Sequence, residues 1–249
     1  GGNMNIKITV SESAEENGRR AAKKIAELIK AAIESKGRAR IVVSTGSSQF
    51  EMFSALIKEE IDWTRVIMFH LDEYVGLPES HIASFRKYLK ERFVSLVPIK
   101  EAHFVNGEGD IDKNIKELTI ELRKEPIDVG IIGIGENGHI AFNDPPADFT
   151  TDEAYKVVVL DTKCRMQQVG EGWFETIDDV PEKAISMMPK EIMKAEHIVT
   201  VAPHSVKAKA IYDTITHSVS PDVPATLLKT HPDWNLFIDD DSAAMLFGK

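Results

Sequence analysis

Apolar positions along the chain follow two alternating spacings. Residues 5–10, 40–44, 65–71, 127–134, 156–160, 184–188, 197–201 and 234–238 carry apolar side chains at every second position or in short unbroken runs, the pattern of strands. Between them the spacing widens to three and four. Ala21, Ala22, Ile25, Leu28, Ile29, Ala32 and Ile33 form one stripe, which predicts a helix capped by Ser11 or Ser13, running to about Ser35 and stopped by Gly37. Phe50, Met52, Phe53, Leu56 and Ile57 predict a second helix, and Ile82, Phe85, Leu89 and Phe93 predict a third over 81–96 with those four inward. Further helices are predicted over 110–123, 205–216 and 225–229, and a segment Thr162–Gln168 carries Lys163 and Arg165. About eight short strands alternating with helices predict an α/β fold. The sheet is mostly parallel, with helices on both faces, in a single three-layer domain spanning 3–249.

Composition narrows the partners. With 249 residues, 43% of them hydrophobic, the chain can bury one large core. A net charge of -10 sets up a field that repels nucleic acid and anionic membranes, so neither is an expected partner and any anionic ligand must be held by local groups. A single cysteine, Cys164, excludes a disulfide framework and a cysteine-based zinc site, and fits a reducing cytoplasm. No stretch reaches the roughly 20 apolar residues of a membrane span, and the N-terminus lacks the apolar run of a signal peptide. Self-association into a homo-oligomer stays open.

Candidate chemistry lies where strands end. After the apolar run ending at Ile134, the chain turns on Gly133, Gly135 and Gly138 and brings Asn137, His139, Asn143 and Asp144 together, where ligands of open α/β sheets bind. Gly133–Gly138 also satisfies G-x-G-x-x-G. A dinucleotide site needs a helix to start there, and Pro145 and Pro146 forbid one, so no NAD or FAD is expected. A histidine titrating near neutrality, beside amides and a carboxylate, suits proton transfer; a connecting turn is the alternative. Thr45, Gly46, Ser47 and Ser48 join a strand to a helix. They present N–H and O–H donors that suit the phosphate of a small metabolite, or simply cap the helix. Asp72 and Glu73 read either as a solvated turn or as the place of a general base. Lys207 stands in a first helical turn, where a cation is unfavourable to the helix, and either meets an anionic ligand or reaches into water.

Three segments, Ser44–Ser48, Leu71–Leu77 and Gly135–Asp144, resemble the signature segments of the glucosamine-6-phosphate deaminase/isomerase family, in order and at comparable spacing. The resemblance implies a Rossmann-like fold and conversion of an amino-sugar 6-phosphate to a ketose 6-phosphate and ammonia, without metal or organic cofactor. By position, Asp72 would move a proton from C2 to C1. His139, supported by Asp144, would open the sugar ring, and the Thr45–Ser48 turn with Lys207 would hold the phosphate. The chain departs from the pattern in three places. Asn137 stands where typical glucosamine-6-phosphate deaminases have Asp, and an Asn there is similar to the galactosamine-6-phosphate branch. Asp144 stands for a Glu, and a phosphate-binding arginine aligns nearer Gln168, which leaves Arg165 as its expected substitute. Related 6-phosphogluconolactonases typically follow the histidine with a Ser-Leu-Phe-Pro-like run, whereas this chain has Ala141-Phe-Asn-Asp-Pro145. A catalytically silent sugar-phosphate sensor is the third class.

Overall fold

The computed structural model describes residues 6–247. Asn5 of the first predicted strand and the outer limits of the 3–249 domain lie outside the described residues. In chain order the elements are β1 (Ile6–Ser11), α1 (Ala14–Lys36), β2 (Ala39–Val43), α2 (Phe50–Leu56), β3 (Val66–His70), β4 (Asp72–Tyr74), α3 (Phe85–Arg92), β5 (Glu101–His103), α4 (Ile111–Leu122) and β6 (Val129–Ile131). They continue with β7 (Tyr155–Val159), α5 (Thr162–Gly170), β8 (Lys183–Met187), α6 (Pro189–Ile192), β9 (His197–Val201), α7 (Ala208–Thr216) and β10 (Trp234–Asp239).

Seven strands form a parallel sheet in the order β1-β10-β9-β6-β2-β3-β5. From β2 the chain runs outward through β3 to β5, then returns to place β6 on the other side of β2. That reversal makes β2 and β6 the switch point of the sheet, where connecting loops diverge and leave a crevice at the carboxyl ends. Every residue of β2 is buried. Val42 faces one apolar layer, with Ile132, Ile198 and Trp234, while Ile41 and Val43 face the other, with Ile25, Ile29 and Phe53. This two-sided burial is why the parallel strands read as continuous apolar runs. The long helix α1 is capped by Ser13, whose hydroxyl accepts the Glu16 N–H, and ends at Gly37 with φ 82°.

The prediction of one sheet needs correction. β4, β7 and β8 form a separate antiparallel sheet, with Asp72 opposite Ser186 and Tyr155 opposite Met187. Directly after His70 the chain leaves the parallel sheet, so Asp72 begins a new strand rather than a loop. The predicted helix 81–96 is also shorter. Ser84 caps α3 by accepting the Lys87 N–H, and Ile82 lies outside the helix at 64% exposure instead of facing inward. The 225–229 helix is a 3-10 turn over Pro224–Thr230, and the three-residue edge strand β5 carries too little pattern to predict.

Candidate active site

Loops from β2, β3, β6 and β9, together with α5, surround one cleft at the switch point. Thr45, Gly46 and Ser48 line it on one side, Asp72 and His139 on another, and Gln167, Gln168, Glu171 and Lys207 close it. Of the candidates that the sequence scattered over the chain, Thr45, Gly46, Ser48, Asp72, His139 and Lys207 therefore meet in its lining.

The turn after β2 is held from three directions. Gly46 adopts φ 105°, the Tyr88 hydroxyl donates to the Gly46 carbonyl at 2.6 Å, and Gln49 donates to the Val201 carbonyl at 2.9 Å. The Ser47 N–H and hydroxyl both donate to the Glu171 carboxylate, the former at 3.0 Å. Lys207 is 6% exposed, which excludes the reading in which it reaches into water. Burial lowers its pKa, while Glu171 and Glu136 oppose that shift. For Glu171 burial pulls upward, but Lys207, Ser47 and Gln167 together outweigh it and hold the carboxyl below its ordinary range.

The start of β4, which bears Asp72, is anchored by its second residue. Glu73, fully buried, accepts from the N–H groups of Tyr74, Phe85 and Arg86 at 3.0–3.1 Å, from the Ser84 hydroxyl and from the Arg86 guanidinium. These donors satisfy a carboxylate that would otherwise be costly to bury. Asp72 is itself 6% exposed and faces the cleft, which excludes the solvated-turn reading. Burial, and then the Glu73 charge, push its carboxyl well above the ordinary range.

His139 packs so closely on Gly135 that a Cβ there would come within 1.9 Å of the imidazole. Asn143 fixes the far end of this loop by donating to the carbonyls of Ile140 and Met187 at 2.9 and 2.8 Å. The Asn137 carbonyl accepts both the His139 N–H, at 3.1 Å, and the imidazole Nδ1–H; an amide oxygen only accepts, so the ring proton sits on Nδ1. Asp144 Oδ1 lies 3.7 Å from the same nitrogen. The expectation of a histidine titrating near neutrality is corrected: burial, then Lys207, lower its pKa to about 3, so the ring is neutral at pH 7. The group near neutrality is Asp144, raised to about 6 by burial and the Asp161 charge, against the Asp161 N–H it accepts. His139, Asp144 and Cys164 offer donor atoms within 4.8 Å of one another, the one metal-compatible group among the described residues, although Nδ1 is engaged by Asn137.

Arg165 does not line the cleft. Its guanidinium donates to the carbonyls of Ile177 and Val180 at 2.8 and 3.2 Å, tying α5 to the following loop, so its expected role as phosphate ligand is corrected. The inward stripe of this segment is Cys164, Gln167, Gln168 and Glu171, spaced i, i+3, i+4, i+7, and Arg165 falls on its flank. Gln167 joins the two sides of the cleft: its amide accepts the Glu136 N–H at 2.8 Å and donates to Glu171 at 2.9 Å. A run of polar residues on the buried face of a helix was the available signal for Gln167 and Glu171.

Comparison with known proteins places this arrangement. The family described as glucosamine-6-phosphate isomerases/6-phosphogluconolactonase matches residues 12–236. The chain belongs to that family. A glucosamine-6-phosphate deaminase of Halothermothrix orenii is 38% identical over 242 residues, covering 93% of this chain and 98% of its own. That of Thermoanaerobacter pseudethanolicus is 35% identical over 249 residues, covering 97% and 95%. Among solved structures, a monomeric glucosamine-6-phosphate deaminase superposes with a TM-score of 0.87 at 27% identity, covering 96% of this chain and 99% of its own. The 6-phosphogluconolactonase of Trypanosoma brucei superposes at 0.81 with 15% identity, covering 98% and 100%, which speaks for the family's shared fold alone. No helix among the described residues is long and apolar enough to cross a membrane.

Proposed function

We propose that this member of the family is a glucosamine-6-phosphate deaminase, which converts the amino-sugar phosphate and water to a ketose 6-phosphate and ammonia. The observation that carries the reading is the meeting of Asp72, His139, Lys207 and the hydroxyl-rich turn around one cleft. Relatives bearing that name supply the reaction. Lys207 and the donors of the Thr45–Ser48 turn hold the phosphate. With Nδ1 protonated toward Asn137, Nε2 of His139 is free to take the proton of the sugar's O1 hydroxyl and return one to the ring oxygen, opening the ring. Asp72 then removes the C2 proton and delivers it to C1, giving a C2 imine that water hydrolyses to the ketone with release of ammonia. Its raised proton affinity makes Asp72 a stronger base than an exposed carboxylate. Cys164 as the sole cysteine supports a reducing, cytoplasmic setting.

The test sets ammonia release from glucosamine 6-phosphate beside ammonia release from galactosamine 6-phosphate and proton release from 6-phosphogluconolactone. Turnover of the glucosamine sugar, with the lactone untouched, is expected. Preference for the galactosamine epimer moves the substrate to that branch, in keeping with Asn137. Lactone hydrolysis without ammonia release overturns the reading.

A further inference from the structure

The Asp161 carboxylate has one more oxygen than its structural task requires. As the N-cap of α5 it needs a single acceptor, and Oδ1 serves, taking the Cys164 N–H at 2.7 Å. Its other oxygen, Oδ2, accepts from the Asn137 side-chain amide at 3.2 Å, and its backbone N–H donates to Asp144 Oδ2 at 2.8 Å. Asn137 in turn accepts the Nδ1–H of His139. A chain of hydrogen bonds thus runs from the cap of α5 through a neutral amide to the imidazole.

We propose that Asp161 is a positioning residue for His139, lending a negative charge to the imidazole through the Asn137 amide. The inference rests on the proposed ring-opening role of His139. An amide beside an imidazole carries no charge and by itself does little for the imidazolium that forms when Nε2 takes a proton. An anion bonded to the amide's N–H polarises the group, enriches its oxygen and strengthens the bond that the oxygen accepts. Asp161 also fixes which way the Asn137 amide points, since its carboxylate can only accept and so selects the Nδ2 end. The ring is faced by Asp144 at 3.7 Å, by Asp161 behind Asn137, and by Lys207, Glu171 and Asp72 around the cleft, with Cys164 nearby on α5. Asn137 is bonded to Asp144 as well, but Asp161 accepts from its amide at 3.2 Å and caps the helix that carries Gln167 and Gln168. The seating of α5 and the basicity of His139 are therefore linked.

The deciding variants are Asp161→Asn, Asn137→Asp and their combination. Asn is an equally good cap and keeps the backbone N–H, so Asp161→Asn removes the charge together with the acceptor that meets the Asn137 amide, the two things the relay needs. Expected is a fall in kcat of at least about tenfold, equivalent to about 1.4 kcal/mol of barrier, with KM within about threefold and with the pH profile of kcat displaced. Adding Asn137→Asp to that variant puts a carboxylate directly on the imidazole and recovers activity. Asn137→Asp alone sets two carboxylates side by side and is less active than the pair. A kcat for Asp161→Asn within about twofold of wild type, or a loss that Asn137→Asp leaves unrepaired, overturns the proposal. Should Asp161→Asn not fold, Asn137→Asp against the double variant decides, since a double variant no more active than Asn137→Asp contradicts the relay. Absence of wild-type turnover on any amino sugar phosphate tells against the functional reading instead. The relay is then read from the imidazole Nδ1 proton by NMR, assigned by loss in His139→Gln. An upfield move in Asp161→Asn supports it and an unmoved resonance contradicts it.

Discussion

The Glu171 carboxylate is bonded to Ser47, accepting its backbone N–H at 3.0 Å and its hydroxyl besides. These are donors that the proposed function assigns to the substrate's phosphate. Two anions do not share one pair of donors, so phosphate entry requires the carboxylate to move aside, at the end of a helix bounded by Gly170 and Gly172. Glu171→Gln removes the competing charge. Its KM for glucosamine 6-phosphate and its Ki for inorganic phosphate are expected to fall by up to about tenfold, a change of about 1.4 kcal/mol. A rise in both shows that the carboxylate binds the sugar instead of opposing its phosphate.

Lys207 and Arg165 part company experimentally. Lys207 is the buried cation facing Glu171 and Glu136, whereas the guanidinium of Arg165 is spent on the carbonyls of Ile177 and Val180. Loss of a charge-assisted hydrogen bond costs about 1.5–3 kcal/mol, so Lys207→Met raises KM by about tenfold to a hundredfold. Arg165→Ala changes KM by less than about threefold and lowers the melting temperature, because it frees the loop after α5. Steady-state kinetics and thermal melts on the two variants check both statements; an Arg165 variant with Lys207-like kinetics contradicts the geometry.

Asp72 is placed for chemistry at a cost to stability. Its folded-state pKa lies well above the ordinary carboxylate range because of burial and Glu73, while the unfolded chain titrates near 4. The folded protein therefore holds that proton more tightly, and its contribution to stability, complete below about pH 4, is lost as pH rises through the raised folded value. Asp72→Asn carries no such penalty. Its melting temperature should match wild type near pH 4 and exceed it by a few degrees at pH 8, a shift on the scale of about 2–4 °C per kcal/mol for a chain of this size. A gap that shrinks as pH rises contradicts the assignment. Asp144, raised to about 6, titrates in both proteins and leaves their difference unchanged.

What could be read from the sequence was what is local. The unbroken apolar runs of β2, β3 and β6 are buried on both faces of the parallel sheet, and the segments after them hold Thr45, Asp72 and His139 a few residues beyond the strand ends. The antiparallel sheet was not legible, because the pairing of Asp72 with Ser186 joins distant segments and β7 turns Val157 and Val159 outward at 40% and 72% exposure. Period-two alternation does not say which sheet a strand joins. Glu171 and Asp161 escaped for a related reason. Each acts on a residue far away in the chain, Ser47 and Asn137, and as single residues they look like an ordinary helix end and cap. Arg165 is the arginine nearest the aligned Gln168, yet its place one step off the inward stripe of α5 decides its role.

The most direct test of the central claim, that one cleft holds the sugar phosphate against Asp72 as its base, is Asp72→Asn examined for binding and turnover together. Ammonia release from glucosamine 6-phosphate should fall to background, while the same sugar still raises the variant's melting temperature about as much as it raises that of wild type. Retained ammonia release in Asp72→Asn contradicts the claim.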